Sequence, residues 1–193
     1  MTRPLSFALA AALAAFTAPA FAEAVKYNVD PGHSQIVFSY NHLGFSTNYG
    51  MFSGFAGVVN FDADAPAESS VEVSFPVSTL ITGFQARYDH FMTADFFNAE
   101  VNKDVTFKST SIEVTGEKTA KITGDLTLNG VTKAVVLDTV LNQAGEHPME
   151  KKPWIGLTAT TTLIRSEFGL GMVAPFVSDE VPVTINLEAG KAD

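Results

Sequence analysis

Over most of this chain apolar and polar residues alternate with a period of two, in short runs bounded by Gly, Asn, Asp and Pro. That pattern restricts the fold more than any other feature. A strand sends successive side chains to opposite faces, so each such run has one apolar face that must be covered. Val71, Val73, Phe75 and Val77 share one face, while Glu72, Ser74 and Ser78 take the other. Ile122, Leu126 and Leu128 oppose Lys121, Thr123, Asp125 and Thr127. The pattern returns at Val181, Val183, Ile185 and Leu187 near the end and at Ile36, Phe38 and Tyr40 near the start. Asn129-Gly130 is the clearest hairpin signal, because a type I′ turn needs positive φ at both central residues. It predicts direct pairing of strands over 118–128 and 131–141. Between Phe52 and Phe61 both faces are apolar, which predicts a strand covered on both sides or a bend at Gly54 and Gly57.

One segment departs from the alternation. Phe84, Tyr88 and Phe91 fall at i, i+4 and i+7, which predicts a short helix from about Phe84 to Thr93 and a turn through Ala94-Asp95. Roughly nine strands and one helix predict an all-β domain, a closed or nearly closed antiparallel barrel whose mouth the helix partly covers. The helix is expected to gate that mouth, with Gly83 as a pivot and Thr93-Ala-Asp95 letting the other end lift.

Residues 1–22 have the layout of an export signal. Arg3 supplies charge, Leu5–Phe16 is apolar apart from Ser6, and Ala20-Phe21-Ala22 offers small residues at both positions a signal peptidase reads. Cleavage before Glu23 would leave one domain, 23–193, in the periplasm. The leader's apolar run is shorter than the ~20 residues a spanning helix needs, and no later stretch reaches that length without a charge or turn residue. Losing the leader removes one Arg and leaves 11 Lys and Arg against 21 Asp and Glu. That sign argues against nucleic acid and against docking on an anionic membrane surface. With no Cys anywhere, disulfides, thiolate metal sites, cysteine catalysis and a lipidated N-terminal Cys are excluded.

For chemistry, the leading feature is 16 Phe beside 4 Tyr and 1 Trp. Phe offers bulk without a polar handle, and an eight-stranded barrel is just wide enough to be filled by its own side chains or to hold one small ligand. Aromatics also gather outside the clean strands: Phe45, Tyr49 and Phe52 around a Gly-rich loop, the segment Phe84–Phe97, and Phe168 and Phe176 around another loop. These positions suit the lining of an entrance. A metal-assisted or hydrolytic enzyme would have to use His33, His42, His90 and nearby Asp30 or Asp89, whose spacings match no metal motif. No Gly-rich phosphate loop and no G-x-S-x-G elbow is present. A third reading is a filled barrel serving protein interaction.

Several stretches, in order, resemble the YceI-like family. They are Tyr27-Asn-Val-Asp30-Pro-Gly-His33-Ser34-Gln-Ile-Val-Phe38 with His42-Leu-Gly44 and Gly50-Met-Phe52; Arg87-Tyr-Asp-His90-Phe91-Met-Thr-Ala-Asp95-Phe96-Phe97; Ile122-Thr-Gly124-Asp-Leu126-Thr-Leu128-Asn-Gly130-Val131-Thr132; and Arg165-Ser-Glu-Phe168-Gly169 with Asp179-Glu180-Val181. The resemblance implies an antiparallel, eight-stranded, lipocalin-like extended barrel with one short helix near the mouth. It implies an exported carrier that catalyses nothing and holds a polyisoprenoid or an isoprenoid-tailed quinone without a bound cofactor or metal, and homodimers in some members. The chain departs from the family's commoner residues at Tyr88 and Phe91, which both add aromatic area. The expected ligand contacts on and beside the strands are Phe38, Tyr40, Phe52, Phe107, Leu126 and Trp154. Those at the loops and helix are His42, Phe45, Phe84, Tyr88, Phe91, Phe97 and Phe168.

Overall fold

The computed structural model describes residues 24–193, so the export leader lies outside the described residues. Ten strands follow in chain order: β1 (Val25–Val29), β2 (Gln35–His42), β3 (Ser46–Phe52), β4 (Ala56–Phe61), β5 (Ser70–Pro76), β6 (Asp104–Gly116), β7 (Thr119–Leu128), β8 (Val131–Glu146), β9 (Pro153–Ile164) and β10 (Glu180–Lys191). One α-helix, α1 (Gln85–Met92), lies between β5 and β6. All strand pairs are antiparallel, and the sheet closes because β10 pairs with β9 on one edge and with both β1 and β2 on the other.

Ten segments occupy eight barrel positions, because β1 and β2 behave as one interrupted strand and β3 and β4 as another. β1 pairs with β4 while β2 pairs with β3, so the two halves form one long hairpin that turns at Leu43–Phe45. The first interruption, Asp30–Ser34, is bridged by side-chain chemistry. The buried Ser34 hydroxyl accepts from the Glu188 N–H at 3.1 Å and donates to the Glu188 carbonyl at 3.3 Å, standing in for a lost ladder bond. The second is the bend expected of the doubly apolar run: Gly54 has φ 72°, a left-handed conformation costly for residues with a Cβ. Phe55 beside it is buried.

The hairpin at Asn129-Gly130 forms as the sequence predicts, with φ of 52° and 73° and Leu128 opposite Val131. The helix spans nearly the expected residues, and its place follows from an unfinished edge. β5 ends at Pro76, which has no N–H to donate, and the chain then leaves the sheet. Among the described residues the outer edge of β3 keeps only the exchange between Met51 and Ile81, at 3.0 and 2.8 Å. Val77 N–H donates to the Lys103 carbonyl, so residues 78–102 form a closed excursion that carries α1.

The end of the barrel built from β1, β4, the start of β9 and the end of β10 is packed solid. Val59, Ile155 and Ala189 are 2%, 1% and 0% exposed. Farther up, at the β3–β4 bend, Phe55 and Phe75 meet at 4.9 Å between ring centroids.

Candidate functional site

Above the level of Val71, Leu157 and Leu187 the barrel is hollow. A cavity of about 650 Å³ runs from these residues, past Phe75 and Val105, to the helix and the loop after β9. The inward positions read from alternation supply its walls: Val71 and Val73, Ile122 and Leu126, Val181, Val183 and Ile185 all line it. Its aromatic wall is continuous. Phe38 stacks on Phe52 at 5.7 Å, Phe52 meets Phe97 edge-on at 5.7 Å, and Phe97 meets Phe91 at 6.2 Å. Two glycines shape this wall, since a Cβ at Gly50 would collide with the Phe38 ring and one at Gly124 with the Phe107 ring.

Of the residues singled out from sequence, Phe38, Tyr40, His42, Phe52, Phe91, Phe97, Phe107 and Leu126 line the cavity. Five do not. Phe45, at the tip of the β2–β3 turn, is 90% exposed, and Phe84, just before α1, is 63% exposed. Both side chains stand outside the cavity, turned to solvent. Tyr88 packs against the core and donates its hydroxyl to the Ser78 carbonyl at 3.3 Å. Phe168 is buried, 2% exposed, in the turn Arg165–Phe168 behind the cavity wall. Trp154 lies on the outer face of β9, one position before the inward Ile155; it donates to a Glu188 carboxylate oxygen at 3.0 Å and lies over Gly190.

The helix faces the cavity with Arg87, His90 and Phe91, a set at i, i+3 and i+4, in place of the expected Phe84, Tyr88 and Phe91 stripe. The missed signal was the amphipathic character of Arg87 itself, whose stem covers apolar surface while its guanidinium stays polar. Arg165, which neither alternation nor helical spacing singles out, also lines the cavity. Its guanidinium donates to the carbonyls of Ser178 (2.8 Å), Val177 (2.8 Å), Met172 (2.9 Å) and Leu170, and so holds the loop 165–178 over one side of the mouth. Burial lowers its pKa, with the Asp179 charge acting in the opposite direction. The Ser166 hydroxyl and N–H both donate to Asp179, and outweigh its slight burial to hold that carboxyl below its ordinary range.

The three histidines of the hydrolytic reading do not converge. His42 and His90 line the mouth, whereas His33 is on the outer surface with Asp30 and Glu188, whose ligand atoms lie within 4.8 Å of one another. The existing partners there account for the cluster. Asp30 accepts from Gly32 N–H at 2.9 Å and pairs with His33 Nδ1 at 2.6 Å, and Glu188 accepts from Trp154. Partial burial works against the Asp30 charge, but the bonds from His33 and Gly32 prevail and lower its pKa. The same bond to Asp30, with the nearby Asp30 and Glu188 charges, raises that of His33.

Comparison with known proteins places this geometry. The family model described as YceI-like domain matches residues 27–189. A UPF0312 protein of Ectopseudomonas mendocina is 39% identical over 173 residues, covering 86% of this chain and 88% of the relative. The crystal structure of the Campylobacter jejuni YCEI protein superposes with a TM-score of 0.71 at 28% identity, covering 79% of this chain and 90% of that one. A polyisoprenoid binding domain from Saccharophagus degradans has a TM-score of 0.67 at 12% identity over 87% and 99% of the two chains, a likeness of fold.

Proposed function

The chain belongs to the YceI-like family, and on that premise we propose that it is a binding protein, not an enzyme, that carries a long apolar isoprenoid inside the barrel. The observation that carries this reading is the hollow upper barrel, about 650 Å³ of space walled by Phe, Leu, Val and Ile. An apolar chain entering it gains about 0.8 kcal/mol per CH₂ removed from water, so an isoprenoid tail needs no ion pair to bind tightly. An apolar protein cavity of about 150 Å³ accepts one benzene, so about 650 Å³ accommodates about 25 carbons, or about five isoprene units. A longer tail would leave its surplus at the mouth. The neighbour from Saccharophagus degradans, named as polyisoprenoid binding, supports the ligand class through the shared barrel alone.

The leader read over residues 1–22 supports a periplasmic site of action, where a soluble carrier would move lipid between membranes. Among the described residues no helix is long and apolar enough to cross a membrane. The test is mass spectrometry of an organic extract of native protein, followed by thermal unfolding with added prenyl alcohols of increasing length. The expected result is a co-purified prenyl lipid and stabilisation that grows with each isoprene unit up to about five, since a ligand bound only to the folded state stabilises it by about 2.7 kcal/mol at 100 times its Kd. No extracted lipid and no shift with any prenyl compound would overturn the reading.

A further inference from the structure

One side of the cavity mouth is a lip made of two segments, the β2–β3 turn and the loop after β9. Leu43, Met172 and Val173 line the cavity and are exposed to solvent at the same time. Beside them Phe45 and the 72% exposed Phe176 lie outside the cavity altogether. The backbone ties the segments together: Leu43 N–H donates to the Phe176 carbonyl and Ser178 N–H to the Asn41 carbonyl, each at 3.0 Å, and His42 bridges to Val177. In a chain with 21 Asp and Glu against 12 Lys and Arg, residues 43–49 and 168–178 contain no charged side chain. The turn 147–152, at the packed end of the barrel, carries Glu150, Lys151 and Lys152.

Exposed hydrophobic residues scattered singly need no explanation, but a contiguous group of them marks a contact surface. The backbone of the lip says what kind. A loop in water leaves its polar groups to the solvent, whereas a loop that enters lipid must satisfy them from within. Arg165 occupies the carbonyls of Leu170, Met172, Val177 and Ser178. Those of Gly171, Val173 and Phe176 accept from the N–H groups of Ala174, Val177 and Leu43, and Pro175 has no N–H to satisfy. In the turn, Gly44 N–H donates to Asn41 Oδ1 at 2.7 Å and Phe45 N–H to the His42 carbonyl at 3.0 Å. A protein partner would not demand this internal closure, and a partner recognised by charge would find none here.

We propose that this lip is a membrane-docking surface, on which Phe45 and Phe176 enter a bilayer of zwitterionic lipid and set the mouth of the barrel against it. The proposal rests on the isoprenoid-carrier reading of the cavity. A tail dissolved in the bilayer then passes over Leu43, Met172 and Val173 into the barrel along an unbroken apolar path. Attachment is by shallow insertion of apolar groups, about 5 to 10 Å deep, and owes nothing to ion pairs. The acidic remainder of the chain is repelled by anionic lipid, which keeps the contact reversible.

The experiment floats the full-length mature protein with vesicles of phosphatidylcholine and phosphatidylethanolamine, with and without added phosphatidylglycerol. Native protein should float with the zwitterionic vesicles, no better when phosphatidylglycerol is present and no worse in high salt. Phe45→Ser combined with Phe176→Ser should weaken binding about tenfold or more, because each change removes a large apolar group from the contact. Met149→Ser, at an exposed apolar residue of the packed end, should bind as the native protein does. Phe45→Trp should be quenched by brominated lipid, whereas the native protein, with its single Trp154 at the packed end, should not. A fluorescent prenyl reporter supplied in solution should bind the double variant with native affinity, while its transfer from vesicles slows about tenfold. Native protein that does not float would overturn the proposal, as would flotation that needs phosphatidylglycerol or that survives the double variant. A concentration-dependent dimer in light scattering that the double variant abolishes, with no vesicle binding, would overturn it by making the lip a contact between copies. In each of these cases reporter binding from solution would leave the carrier reading standing. If the native protein takes up no reporter from either source, the carrier reading and the docking role fall together.

Discussion

The two ends of this barrel are built from the same alternating strands and end up opposite in character. At the lower end Val59, Ile155 and Ala189 are almost fully buried, with Ile155 and Ala189 directly opposite each other on β9 and β10. At the upper end the same strands, β9 and β10, continue with Ala159, Val183 and Ile185 facing a cavity. Composition does not separate the ends, since both are lined by Val, Ile, Leu, Ala and Phe. Closure does. At the lower end β1 and β4 complete the ring through continuous ladders. At the upper end β5 has stopped at Pro76, β3 has one bridge on its outer edge, and a helix of eight residues stands where a strand would be. A sheet that closes draws its side chains into contact, and one that is propped open by a helix keeps a space.

The sharpest way to break this comparison is a matched pair of truncations. Phe55→Ala, buried at the β3–β4 bend and outside the cavity, should lower unfolding free energy by about 3 to 5 kcal/mol in denaturant titration, with ligand preference unchanged. Phe91→Ala, on the cavity side of the helix, should cost well under that, because part of its ring already faces space, and should instead speed release of a fluorescent prenyl probe. Its neighbours Tyr40, Phe96 and Phe97 lie at 6.2, 5.0 and 6.2 Å between ring centroids. If Phe91→Ala loses the full core amount and release is unaltered, the helix is a plug and the two ends are alike.

Next in size is the turn that ties strands to the mouth. Replacing Asn129 by Val and Gly130 by Ala should cost about 1 to 2 kcal/mol for each residue forced to positive φ. A further loss is expected because Asn129 accepts from Asn102 at 2.8 Å and donates to the Phe168 carbonyl at 3.1 Å. Thermal unfolding would show it, and a normally stable variant with altered ligand preference would place the turn in the site instead.

A smaller contrast comes from adding volume. Ala189→Leu overfills the packed end and should destabilise by about 1 to 3 kcal/mol. Ala159→Leu points into the cavity, so its stability should change little while the longest bound tail shortens. Equal destabilisation by both would mean the upper barrel has no spare room.

The smallest effect belongs to the outer surface. The raised pKa of His33 contributes stability below the ordinary histidine value and loses it as pH rises through the folded one. The lowered pKa of Asp30 contributes above the ordinary carboxylate value and loses it as pH falls through the folded one. Both operate together only between about pH 4 and 6.5. His33→Gln should therefore lower Tm slightly at pH 5.5 and not at pH 9; a deficit that persists at pH 9 would assign His33 a role apart from the charge pair.

What the sequence determined by itself is what depends on near neighbours along the chain. Period-two alternation named the inward residues of β5, β7 and β10, because adjacent side chains of a strand must point apart. Asn129-Gly130 named its turn because φ is a local property, and the spacing of Phe84, Tyr88 and Phe91 located the helix within a residue of each end. The tertiary structure decided everything that depends on what lies across a gap. Trp154 and Ile155 are neighbours on β9, and only pairing with β10 sends the first outward over Gly190 and the second into the core. Phe45 and Phe52 belong to one hairpin, yet one is exposed at its tip and the other is buried against Phe38, Phe75 and Phe97. Whether a Phe-rich barrel is filled or hollow was likewise beyond local reading, because it turns on the edge of β3, the stop at Pro76 and the place where residues 78–102 come to rest, three features that meet only when the chain has closed on itself.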